Sequence, residues 1–84
     1  MSPLAADVVG LLGSALFIAA FAYANWAPSL NKLAFNLANL AGAVLLLISL
    51  SVSFNLAAFV LEAAWALIAL AGIVAALRER GRAA

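Results

Sequence analysis

The sequence predicts an all-α integral membrane protein, a three-helix bundle, and three observations carry that reading. First, 70% of the 84 residues are hydrophobic and only 8% are charged, with a mean hydropathy of +1.27. An ordinary globular domain is about 45–50% apolar and about 25% charged. A domain this short buries a modest share of its surface, and here too few polar side chains exist to cover the remainder in water. Disorder is excluded by the same composition, because disordered segments are polar and charge-rich. Second, the charges divide the chain into long uncharged runs, residues 8–31, 33–61 and 63–77. A helix needs about 20 residues to cross a hydrocarbon core of roughly 30 Å. Third, all four basic residues, Lys32, Arg78, Arg80 and Arg82, fall on one side of the bilayer if the chain crosses three times.

The expected spans are Val8–Ala24, Leu33–Leu50 and Leu56–Leu77, in one transmembrane domain covering residues 1–84. The first is short, and Trp26 is placed at the interface where indole rings concentrate. Val8–Phe21 followed by Ala22-Tyr23-Ala24 has the outline of a secretory signal. The preceding Met1–Asp7, however, lacks Lys and Arg and contains an acid, the reverse of a signal n-region. The first connection, Asn25 to Lys32, is marked by Pro28, which removes a backbone donor and disfavours helix at Ala27. The second, Ser51-Val52-Ser53-Phe54-Asn55, offers Ser and Asn side chains for backbone groups freed at two helix ends. Its shortness predicts an antiparallel hairpin of spans two and three.

Four basic residues on one side and none on the other predict an outside N-terminus and a cytoplasmic C-terminus, in a multi-pass protein of the bacterial inner membrane. Arg78-Glu79-Arg80-Gly81-Arg82 reads as a topology signal in contact with anionic lipid.

Inside lipid, small residues and buried polar groups draw helices together. In span one, Ala6, Gly10 and Ser14 recur every four residues, with Gly13 beside them. In span two, Asn36, Asn39, Gly42, Ala43, Leu46, Ser49 and Ser53 share one helical stripe. An amide in hydrocarbon needs a partner, so Asn36 and Asn39 are expected to face protein. Span three carries Glu62, followed on the same face by Trp65, Ala66, Ala69, Gly72 and Ala76. An acid within a span is costly and usually faces a bundle interior or cavity. Glu62 lies six residues into span three, about 9 Å deep, and every basic residue is on the far side. Its compensation must come from a partner chain, a proton or a solvated crevice. Gly10, Gly13, Ser14, Asn36, Asn39, Gly42, Glu62, Trp65 and Gly72 are therefore the expected packing and partner contacts.

Phe35-Asn36-Leu37-Ala38-Asn39-Leu40-Ala41-Gly42-Ala43, Phe54-Asn55 and Leu61-Glu62-Ala63-Ala64-Trp65-Ala66-Leu67-Ile68, with Gly10 and Gly13, resemble a family of uncharacterised small bacterial three-helix membrane proteins. The resemblance covers about residues 8–73. Members look distantly similar to half-sized sugar transporters of the PQ-loop type, whose protomers dimerise around a substrate path. The Pro-Gln pair of those transporters is absent; Pro28 follows span one and precedes Ser29. By the resemblance, an amide often stands near the Trp of span three, where this chain has Glu62.

The missing residues narrow the chemistry. No Cys or His is present, which removes thiolate nucleophiles, the commonest general base and the usual ligands of zinc and haem. No catalytic residue, metal site or cofactor is expected, and Glu62 has no second acid at its depth with which to form an acid–base pair. A net charge of +1 leaves no footprint for nucleic acid. Two functions remain. One is a non-enzymatic accessory subunit packed against a larger membrane complex. The alternative is a dimeric half-transporter for a small solute. The partners expected are the bilayer and other membrane chains.

Overall fold

The computed structural model describes residues 1–83 and consists of three helices, α1 (Pro3–Trp26), α2 (Lys32–Leu50) and α3 (Leu56–Ala83), with no strand among the described residues. Each is long and apolar enough to cross a membrane. At 1.5 Å per residue they span about 36, 29 and 42 Å.

All three extend to, or beyond, the expected spans, for local reasons. Ser2 caps α1, its hydroxyl accepting from the Ala5 N–H at 3.1 Å, and Pro3 follows at the first helical position, where its missing donor costs nothing. The helix thus starts five residues before Val8 and takes in Asp7. It stops after Trp26 because Ala27 is extended (φ −72°, ψ 135°), as Pro28 requires. Asn31 caps α2 through its side-chain oxygen, which accepts from the Ala34 N–H at 3.1 Å. The Asn31 N–H in turn donates to the Tyr23 hydroxyl at 2.8 Å, tying the connection back to α1. At the second connection the Ser51 hydroxyl donates to Ile48 O, and Asn55 Oδ1 accepts from the Ala58 N–H at the start of α3. No described residue adopts positive φ; the Ser51 and Val52 N–H groups close the turn by donating to Ile48 O at 3.1 Å and Ser49 O at 3.2 Å. Helix α3 runs on through the arginines, which suit the negative end of its dipole.

Helix α2 is central. It packs antiparallel on both α1 and α3, whereas α1 and α3 have no Cα atoms within 8 Å of each other. The buried apolar residues are all alanines, Ala6 and Ala20 on α1, Ala43 on α2, and Ala69 and Ala76 on α3. Gly13 and Gly42 are buried with them. Positions 6, 13 and 20 repeat every seven residues, as do 69 and 76. This is the seam of near-parallel helices packed in the left-handed sense. The four-residue stripe of the sequence lies along its edge, with Gly10 and Ser14 half-buried.

Large apolar side chains point outward instead: Leu4 is 73% exposed and Ile68 70%. No large side chain is fully buried among the described residues. A surface this apolar is unstable against water and ordinary against lipid.

Candidate functional site

Polar side chains gather at three depths. The middle layer begins where α1 and α2 cross. A Cβ on Gly13 would lie 2.8 Å from Gly42 O, and one on Gly42 would lie 3.0 Å from Gly13 O and 2.7 Å from the Phe17 ring. Only glycine at both positions admits this approach. Phe17 then reaches over Gly42 to stack on Trp65 of α3, ring centroids 5.3 Å apart at 38°, so side chains join two helices whose backbones stay apart. Trp65 Nε1 donates to Asn39 Oδ1 at 2.8 Å, and Asn39 Nδ2 donates to Phe35 O at 2.9 Å. Asn39, 94% buried, is therefore used on both sides of its amide. Its depth, seven residues from the start of α2, is about 10 Å.

Asn36 lies one turn nearer the basic end, its Nδ2 donating to Lys32 O at 2.8 Å. Its amide fills the space a Cβ on Gly72 would need, with Asn36 Cγ 2.5 Å from that position. Phe35, Asn36, Asn39, Trp65 and Ile68 line an open, largely apolar cavity of about 290 Å³.

At the end opposite the basic residues, Glu62 and Asp7 share a cavity of about 190 Å³ with Ser49 and Ser53. Glu62 Oε2 is buried and has no hydrogen-bond partner. Ser49 donates to Ala6 O at 2.7 Å, binding α2 to α1, and the space a Cβ on Gly10 would need lies 2.8 Å from Ser49 Oγ. Ser14 turns to its own helix, donating to Gly10 O at 2.9 Å. The second acid corrects the sequence expectation that Glu62 stands alone at its depth. The expected first span begins at Val8, after Asp7; because Ser2 and Pro3 start α1 early, Asp7 sits on the second turn beside the same cavity. The helix-start signal was readable. The role of Phe17 was not, since nothing distinguishes it from the other apolar residues of α1.

At the basic end, Lys32 Nζ stands 3.3 Å from Glu79 Oε1, both well exposed. Arg78, Arg80 and Arg82 make no ion pair among the described residues. Trp26, 81% exposed at the end of α1, extends outward at the same level.

The arrangement therefore separates a basic end, a hydrogen-bonded aromatic–amide layer and an acidic end. Chemically, the acidic end offers two carboxyls and two hydroxyls, and no group of three or more His, Cys, Asp or Glu suited to a metal occurs among the described residues. No curated protein and no solved structure matches the chain. A bacterial family of uncharacterised function matches residues 6–80, a stretch that contains every helix–helix contact described above, and the chain belongs to that family.

Proposed function

We propose that this protein is a non-enzymatic subunit of a larger helical assembly in the bacterial inner membrane, with its N-terminus outside and its C-terminus in the cytoplasm. The observation that carries the reading is Glu62 Oε2, buried and without a hydrogen-bond partner. Leaving a buried acceptor unsatisfied costs about 1–3 kcal/mol, more if it is charged. A donor from an added helix removes that cost. The lack of any α1–α3 Cα pair within 8 Å is consistent with a bundle that other helices complete. The orientation rests on the side-to-side asymmetry of Lys32, Arg78, Arg80 and Arg82.

The test is mild solubilisation of native membranes. The protein should emerge at fixed stoichiometry with a larger complex, and recovery as a free monomer or homodimer overturns the proposal. Glu62→Gln should lower recovery of the complex while leaving the helix content of the isolated chain unchanged. A cytoplasmic reporter fused at the C-terminus should be active, and a periplasmic one silent.

A second reading, a dimeric half-transporter distantly similar to the PQ-loop type, draws support from the open cavity lined by Asn36, Asn39 and Trp65. Three helices cannot enclose a path, so a second protomer would have to close it. Purified dimers in proteoliposomes should then take up a small solute, and Asn36→Ala should slow uptake with the dimer mass unchanged. Absence of uptake by such dimers across a panel of sugars and amino acids counts against this reading.

A further inference from the structure

Four basic residues crowd the cytoplasmic end of the bundle, yet they do not occupy one surface. Arg80 lies with Lys32, Asn31 and Leu30 beside α2. Arg78 and Arg82 lie on another side of α3, where with Ala71, Val74, Ala75 and Glu79 they line a groove of about 480 Å³. Glu79 is the only acid at this end, and it is engaged by Lys32 at 3.3 Å. No ion pair involving Arg78 or Arg82 occurs among the described residues. Two like charges four residues apart on a helix repel each other. An anion between them reverses that sign, and guanidinium groups match the oxygens of a phosphate closely.

The groove also has a direction. Leu77 is the last large apolar residue of α3, so Arg78 stands at the edge of the hydrocarbon and Arg82 about 6 Å beyond it, within the headgroup layer. Ala71, Val74 and Ala75 occupy the two turns on the hydrocarbon side. The small alanine side chains leave room along the helix for an acyl chain whose headgroup is held by the arginines.

We propose that this groove is a binding site for an anionic phospholipid, the phosphate lying between Arg78 and Arg82 and one acyl chain along Ala71, Val74 and Ala75. Charge complementarity selects the occupant: a zwitterionic lipid carries its own cation, which the two arginines oppose. The proposal rests on α3 spanning the membrane. It does not depend on which assembly the protein joins.

The test uses the full chain in nonionic detergent, with lipid binding read by native mass spectrometry. Phosphatidylglycerol should bind the wild type about ten- to thirtyfold more tightly than phosphatidylcholine of the same chain length, since each arginine near the headgroups contributes roughly fivefold. Arg78→Gln/Arg82→Gln should reduce that preference to within about twofold, and Arg80→Gln should retain most of it. An equal loss in both variants would mean diffuse surface charge and overturns the site. So does a wild type without preference, or full competition by soluble glycerol phosphate, which would mark a free-anion site. Resistance of the wild type and variants to alkaline extraction from vesicles is scored separately, so a failure of membrane insertion is distinguished from a failure of lipid selectivity.

Discussion

Gly13→Ala is the most direct test of how α1 meets α2. The added methyl would stand 2.8 Å from Gly42 O, 3.0 Å from Leu46 Cγ and 3.1 Å from Leu45 Cβ. The first of these is backbone and cannot swing aside. Restoring an ordinary 3.4 Å contact requires the helices to separate by about half an ångström at their crossing. A radial gap of that size forfeits about a quarter of the dispersion energy of the contacts around it. It also draws Phe17 away from Gly42 and strains its stacking on Trp65. Overpacking of this kind costs about 1–3 kcal/mol, against which the alanine gains up to about 1 kcal/mol in helix propensity. From the middle of the overpacking range, about 2 kcal/mol, less the propensity gain, the expected net loss is about 1 kcal/mol. Gly81→Ala is the internal control, because nothing lies within 4 Å of the added methyl; it should be neutral or slightly stabilising. Both are measured by reversible unfolding in mixed micelles, following helical circular dichroism against the mole fraction of denaturing detergent. A Gly13→Ala protein as stable as the wild type would refute the Gly13–Gly42 crossing.

Three further outcomes follow from the same contacts. Trp65→Phe keeps the ring against Phe17 but removes the donor to Asn39 Oδ1; the loss should be about 0.6–1.7 kcal/mol by the same unfolding assay, and no loss would show that the bond contributes nothing. Gly10→Ala and Ser49→Ala should be coupled in a double-mutant cycle by at least about 0.5 kcal/mol, because the methyl added to Gly10 collides with the hydroxyl that Ser49→Ala deletes; simple additivity would disprove the contact. Lys32→Ala, breaking an exposed ion pair, should cost about 0–1 kcal/mol and less at high salt. A larger, salt-insensitive loss would mean that Lys32 does more than pair with Glu79.

Much of the helix punctuation was legible beforehand. Pro28 ends α1, and Asn31 caps α2 by the rule that short polar side chains satisfy the first free backbone donors. The early start of α1 follows from Ser2 and Pro3, whereas the charge of Asp7 bounds the apolar run and not the helix. The candidate site was only partly legible. Asn39, Trp65 and Glu62 stood out because polar groups in an apolar span need partners. Which partner each finds depends on register, and Phe17 enters through register alone.

Composition and the positions of seven charges were enough to define three helices suited to lipid and the end at which the basic residues collect. Those are one-dimensional properties: transfer of a segment from water depends on its own residues, and charge asymmetry depends only on order along the chain. The inward faces were decided by the tertiary structure. In a water-soluble bundle an apolar stripe marks the core, but here lipid and core are both apolar, so the pattern of hydrophobicity carries almost no information about facing. Facing is set instead by close approach, Gly13 on Gly42 and Ala69 and Ala76 toward α2. That packing hydrogen-bonds Trp65 to Asn39 and brings Glu62 to the same cavity as Asp7, with one carboxyl oxygen still unpartnered.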